Sequence, residues 1–537
     1  LSDFLAAFGV LLAAIAAAAA ILLPAGRIRS LAMLAALVLF PILILGDQWH
    51  SQQIADLRDH PSRLAALGAL ALVATAALAY AFRRWPTLLP LAIVAALPFR
   101  VPLNAGGDTA NLLVPLYLVI AGGVLSLVIG EWQQGDGVDR GAGFFTGRRR
   151  PLADSVGRKT GRRIQLDPAA LLPCVLAGFV LLYALQALYS PDFSKGLQNV
   201  CFFFVPFSLV YGLLRDVSWD ERLLTLILWV VAIEAVCFVA VGSLEWVTRS
   251  LFWNDQVIRS NEFHTYFRVN SVFWDPNIYG RYLALVAVVA MSALLWARER
   301  RDLALLTVLV AVVWFGLFPT FSQSSFAALL AGLAVLAALK WSLRWTLVAV
   351  GGFVVLGMLV VLFTGGRASL DRINIDTSGR ANLVSGGIHL FAQRPLYGYG
   401  SGSFPKAYRQ HVETHKAPVS VSHTEPITVA AEQGILGLAA YIALVLAALW
   451  TMAAGLRASL LPLSSATGPA RLQPIARAAV LATFVALLVH TMAYAGFFED
   501  PITWVLLAAA ASLAATPRQA ASSAAARVSA CPDTSAA

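Results

Sequence analysis

Residues 303–320, LALLTVLVAVVWFGLFPT, follow Arg298, Arg300 and Arg301 and contain no charged side chain. Wound as a helix, such a block rises about 27 Å, close to the thickness of a bilayer's hydrocarbon core. A basic cluster at one end of an apolar block marks the cytoplasmic side. Outward from this segment the pattern repeats, with apolar blocks of about 17–25 residues separated by polar connections. They fall near 4–23, 31–46, 64–82, 87–99, 111–130, 168–189, 197–214, 222–242, 277–297, 303–320, 324–339, 345–364, 427–455, 476–496 and 501–515. The block at 87–99 is short enough to be re-entrant.

Composition agrees. The 537 residues are 59% hydrophobic and only 13% charged, and mean hydropathy is +0.74. A soluble domain carries about 25% charged residues. No alternating strand pattern appears, which argues against a β-barrel. Without water to satisfy the backbone, a spanning bundle must be helical. The net charge of +10 then reflects topology rather than nucleic-acid binding. Cys174, Cys201 and Cys237 lie in apolar blocks and Cys531 in the tail, with no metal or disulfide spacing. The first apolar block lacks a basic leader and a cleavage site and reads as a retained helix.

Counting every block as a span puts Arg27/Arg29, Arg83/Arg84, Arg298/Arg300/Arg301, Lys340/Arg344, Arg457/Arg471 and Arg518 on one side. Loop 131–167, with Arg140, Arg148, Arg149, Arg150, Arg158, Lys159, Arg162 and Arg163, falls there too. That side is the cytoplasm. The N-terminus is then outside and the C-terminus inside. The expected organisation is N-terminal membrane helices over 1–130, a basic cytoplasmic loop over 131–167 and central helices over 168–364 with an outer loop at 243–276. An extracytoplasmic loop at 365–426, C-terminal helices over 427–515 and a disordered Ala/Ser-rich tail over 516–537 complete it. No internal repeat is visible.

The outer loops depart from the charge rule. The first carries Arg249, Arg259 and Arg268, with Arg281 about one turn into the next helix. The second carries Arg367, Arg372, Arg380, Arg394, Lys406, Arg409 and Lys416. Cations retained outside suggest an anionic ligand, and the arginine fork suits phosphate oxygens. Ion pairs with Asp371, Asp376, Glu413 and Glu425, or contacts to lipid headgroups, are the plainer alternative. The second loop also reads as ordered: a helix-like stretch from Ser378 to Gln393, Pro395 to end it, and a glycine-punctuated turn at 398–402.

Glu234 is mid-span, either functional or neutral and hydrogen-bonded. His490 reads as a packed, hydrogen-bonded histidine. His411 and His415 have i,i+4 spacing, but no zinc motif accompanies them. His423 is placed differently, where the loop meets the next helix and faces a cationic loop. A base there could activate a hydroxyl.

The stretch Ser422-His423-Thr424-Glu425-Pro426 … Ala431-Glu432-Gln433-Gly434-Ile435-Leu436-Gly437 resembles the signature of the O-antigen ligase/polymerase family: a His, an apolar stretch, then Glu-x-Gly-hydrophobic-x-Gly. Arg268 with Phe273-Trp274-Asp275-Pro276-Asn277 is similar to a second family element. Thr320-Phe321-Ser322-Gln323-Ser324-Ser325 is similar to a third, and Ser378-Gly379-Arg380 with Pro395-Leu396-Tyr397-Gly398-Tyr399-Gly400 to a fourth. Thr424 stands where Asn is common and Gln323 where Arg is common. The matches cover about residues 170–515 in the expected order.

The resemblance implies an all-α polytopic membrane protein, a GT-C-like bundle of about 13–15 transmembrane helices with a long ordered extracytoplasmic loop. It implies an inverting, metal-independent glycosyltransferase without cofactor in the bacterial inner membrane, facing the periplasm. The donor would be a glycan on undecaprenyl diphosphate and the acceptor a hydroxyl of a glycan or lipid. His423 would activate the acceptor. Arg268 and Arg380 would contact the diphosphate; Arg281 and Lys195 join them by position. Asp275, Asn277, Glu432, Gly398 and Gly400 would form the loop scaffold. A transporter for lipid-linked saccharide and a non-catalytic envelope-assembly partner are the competing readings.

Overall fold

The computed structural model describes residues 3–49, 58–105, 108–133, 168–263, 266–363, 380–412, 421–461 and 472–514. Most of the basic loop 131–167, the tail 516–537, and Arg367, Arg372, His415 and Lys416 lie outside the described residues. So do Asp371, Asp376 and Glu413.

Each apolar block folds as a helix. Twelve helices among the described residues are long and apolar enough to cross a membrane. A further helix, Leu343–Phe363, has 21 residues, while Leu88–Ala96 has only 9 and Pro501–Ala514 is also short. The chain is an all-α polytopic membrane protein. The departure among the described residues is a two-stranded antiparallel hairpin, Val101–Ala105 with Asp108–Leu112, too short to register as alternating sequence.

Polar contacts tie the helices at two ends. At the basic end, Arg29 binds Asp216 and the Gly212 carbonyl, Arg215 the Ile21 carbonyl, Arg83 Gln133, and Lys340 the Leu295 carbonyl. At the other end, Asp47 accepts from Ser194 and Gln198, and Thr424 reaches the Met492 carbonyl. Between the ends the core is apolar. Gly316 and Gly332 pack against valines 239 and 288, where added Cβ atoms would approach to 2.4 and 2.5 Å.

Two helices are irregular for identifiable reasons. The Phe193–Leu214 span contains a π-helical turn over Val200–Phe204. Pro206 has no N–H for the Phe202 carbonyl, and the Tyr117 hydroxyl donates to that carbonyl instead, at 2.8 Å. The expected span 427–455 is divided. The helix Glu425–Ala453 breaks at Gly434, whose φ is 63° and ψ −160°. Residues 435–453 alone would rise about 28 Å, enough for the hydrocarbon core. The turns before Gly434 therefore belong to the rim, beside His423.

Candidate active site

The break at Gly434 explains the glycine-rich loop. A helix interrupted near a membrane leaves backbone groups that must find partners. The loop supplies them. Ile435 N–H donates to the Pro395 carbonyl at 2.7 Å, while Gly400 N–H donates to the Glu432 carbonyl at 2.7 Å and Tyr399 N–H to that of Ala431 at 3.2 Å. The Glu432 carboxylate accepts from Gly402 N–H at 2.8 Å and Phe404 N–H at 2.9 Å. Gln186 adds a donor to the Gln433 carbonyl at 3.1 Å. Such closeness excludes side chains. Gly398 and Gly434 have positive φ, and Cβ atoms there would lie 2.3 Å from the Glu432 carbonyl oxygen and 2.5 Å from the Leu396 carbonyl. Gly400 and Gly402 meet the backbones of Ser190 and Gly196 in the same way.

His423 stands just before this broken helix. Its φ of 62° is left-handed, a conformation that costs a non-glycine residue energy and is found where surroundings hold it in place. Here both neighbours are fixed. The Ser422 hydroxyl donates to the Thr424 carbonyl at 2.8 Å and bonds the Thr428 hydroxyl. The Thr424 hydroxyl donates to the Met492 carbonyl at 2.9 Å. The buried Glu425 carboxylate accepts from Gly496 N–H at 2.8 Å and Phe497 N–H at 3.1 Å. His423 is thus clamped against the connection between the last two helices.

The first outer loop reaches the same place. Asp275 caps helix Pro276–Trp296 by accepting from Asn277 N–H at 2.6 Å. The Asn277 side-chain Oδ1 accepts from Arg268 Nη2 at 3.1 Å, and Arg268 Nε donates to the Thr320 main-chain carbonyl at 2.9 Å. Arg268 thereby joins the second and third of the family-like elements. Glu245 secures the approach, accepting from the amides of Asn270 and Ser271 at 3.1 and 2.7 Å.

Electrostatics bring the pieces together. Burial lowers the His423 imidazole below the usual histidine range, the Arg380 charge lowers it further, and Asp275 opposes both. Burial also lowers Arg268, with Asp275 opposing and Arg380 reinforcing. His423, Arg268, Arg380 and Asp275 therefore share one electrostatic neighbourhood. Arg281 is buried at its edge and ion-paired to Asp500 at 2.8 Å. Its Nη1 makes no hydrogen bond among the described residues. Lys195 is exposed on a different helix, Phe193–Asn199. Its main chain abuts Gly402, which places it beside the loop scaffold rather than among these four groups.

Three residues near His423 escaped the sequence reading. Arg100, after the 9-residue helix, lies within electrostatic reach of Tyr494. Asp500 partners Arg281. The Tyr494 ring lies 6.2 Å from that of His423 and 5.8 Å from that of His490. His490 is buried and bonded to the Ser324 hydroxyl at 3.2 Å, which extends through Ser322 to Ser325. An arginine beside a short helix signals little on its own, and a tyrosine near a helix end is ordinary. Glu234 accepts from the Tyr282 hydroxyl at 2.9 Å, away from this cluster. Among the described residues no group of three His, Cys, Asp or Glu is arranged to hold a metal.

Residues 308–442 match the family model described as O-Antigen ligase. This segment is similar to an O-antigen ligase domain. It contains the serine element, Arg380, the glycine loop, His423 and the Glu432–Gly434 break. Arg100, Arg268, Arg281, Tyr494 and Asp500 reach the site from outside it. No curated protein matches the chain.

Proposed function

We propose that the protein is a membrane glycosyltransferase of the O-antigen ligase or polymerase type. In this reading it sits in a bacterial cytoplasmic membrane and moves a glycan from undecaprenyl diphosphate to an acceptor hydroxyl at the extracytoplasmic face. The observation that carries it is the shared neighbourhood of His423, Arg268 and Arg380, within or beside the segment similar to an O-antigen ligase domain.

The chemistry divides between these groups. A lowered imidazole is neutral at neutral pH and can accept the proton of the attacking hydroxyl. The acceptor oxygen bonds the anomeric carbon as the bond from that carbon to the diphosphate oxygen breaks. Attack from the face opposite the leaving group inverts the centre. Arg268 and Arg380, with the free Nη1 of Arg281, take up the charge that develops on the diphosphate. Lys195 extends the cationic rim. The leaving group is already good, so positioning and charge stabilisation carry most of the rate, with no requirement for a metal. The helix break and glycine loop, built on Glu432, Gly398 and Gly400, hold His423 at the height where a lipid diphosphate meets an aqueous acceptor.

The test is transfer by purified protein from an undecaprenyl-diphosphate-linked glycan to a panel of acceptors, with chelator present. Transfer by wild type and its loss in His423→Ala is the expected result. The acceptor consumed separates ligase from polymerase. A His423→Ala variant as fast as wild type removes His423 from the chemistry. Donor binding without any transfer by wild type would favour a lipid-saccharide transporter or an accessory role.

A further inference from the structure

We propose that the Tyr494 hydroxyl is a further catalytic group, donating a hydrogen bond to the leaving diphosphate. The inference rests on the glycosyl-transfer reading and adds a neutral donor to its set of cations.

The placement of Tyr494 is built rather than incidental. It follows the helix Leu472–Thr491, and its N–H donates to the His490 carbonyl at 3.0 Å. Two residues before it, the Met492 carbonyl is held by Thr424. Two residues after it, Gly496 N–H is held by Glu425. Thr424 and Glu425 directly follow His423. The residues that fix the imidazole therefore also fix the tyrosine opposite it, and the 6.2 Å ring separation is set from both sides.

The phenol end lies among charges. Asp275, Arg281, Arg100 and Glu499 are within its electrostatic reach. Burial raises its pKa, the Asp275 charge adds to this, and the two arginines oppose; the group remains a protonated donor at neutral pH. Among the described residues its hydroxyl makes no hydrogen bond. A half-buried donor without a protein partner, across 6.2 Å from a candidate base and within the electrostatic reach of two arginines, suits an oxyanion of the substrate. When the anomeric C–O bond breaks, the electron pair passes to the diphosphate oxygen. The phenol stabilises that oxygen by hydrogen bonding and keeps its proton, while the acceptor's proton goes to His423.

Tyr494→Phe keeps the ring against both histidines and deletes only the hydroxyl. Steady-state transfer by the full-length protein should show kcat reduced roughly 100- to 1,000-fold, with thermal unfolding in detergent unchanged. Wild-type kcat and KM in Tyr494→Phe would overturn the proposal. If that variant folds poorly, a fluorinated tyrosine at 494 keeps the shape and lowers the phenol pKa. At fixed neutral pH kcat should then change with the acidity of the phenol, and a kcat that does not change would also overturn the proposal. His423→Ala, run in parallel, separates the two failures. An inactive His423→Ala beside a fully active Tyr494→Phe sinks only the tyrosine's role, whereas a wild type that transfers nothing sinks both.

Discussion

Arg281 and Asp500 form a buried ion pair that joins the second turn of helix Pro276–Trp296 to the start of helix Pro501–Ala514. Asp500 also caps that last helix, accepting from Ile502 N–H at 2.9 Å. Breaking one half of such a pair leaves an uncompensated buried charge and costs roughly 3–5 kcal/mol. Arg281→Ala should therefore lower the unfolding midpoint strongly. The double variant Arg281→Met with Asp500→Asn should regain most of that stability. Transfer measured on the double variant then isolates the role of Nη1. Wild-type rates there would make Arg281 purely structural.

The left-handed backbone at His423 permits a clean substitution. Asparagine adopts this region more readily than other non-glycine residues. His423→Asn should fold with an unchanged unfolding midpoint and lose transfer by at least about 100-fold, the scale of a general base. A comparable loss accompanied by a large drop in stability would point to backbone distortion instead.

The charges around His423 set the acid limb of the pH profile. Its imidazole lies below the ordinary histidine value of about 6.5, from burial first and Arg380 second, with Asp275 opposing. Only the neutral form accepts a proton, so the rate falls as pH drops through this lowered value. In Arg380→Gln the imidazole should rise, and the acid limb of kcat at saturating donor should move to higher pH. In Asp275→Asn it should move lower. Limbs that stay fixed in both variants would separate His423 from proton transfer.

Gly398 and Gly434 should not tolerate alanine. Each has positive φ, and a Cβ would lie within 2.6 Å of backbone atoms of the opposing segment. Strain of this kind costs on the order of 1–3 kcal/mol before the clash is counted. Either variant should unfold at lower temperature and become sensitive to protease near residues 395–404. Gly68, with no neighbour within 4 Å, is the matched control.

The fold was legible because a bilayer demands long apolar helices, and most blocks declared themselves by length; the short helices Leu88–Ala96 and Pro501–Ala514 did so only by their apolar composition. The irregular parts were less so. Gly434 lies between Gln433 and Ile435 within a long helical pattern, and nothing local says that its helix breaks, because the break is stabilised by residues 395–404 distant in sequence. The pair Glu432 and Gly434 was readable as a motif, but not the exchange of backbone hydrogen bonds behind it. The excess of cations in the outer loops was readable, and the family resemblance singled out Arg268 and Arg380 among them, but no local pattern says that the two loops meet at His423. Arg100 and Tyr494 enter that cluster through tertiary packing alone, and no spacing rule finds them. Arg281 was noticed as a cation in a membrane zone, while its partner Asp500 lay more than 200 residues away.

The interrupted helix also bears on how the chain is made. Residues 186–196 and 395–404 are synthesised before the helix that needs them. The seats for its open amides and carbonyls have thus emerged from the ribosome before Gly434 does. Had the glycine loop followed the helix in sequence, the helix would have entered the bilayer with its break unsealed. The order of the segments thus serves the intermediate as well as the finished protein: transplanting the broken helix without its upstream loop would give a span that still inserts but whose rim turns before Gly434 have lost the partners that shape them.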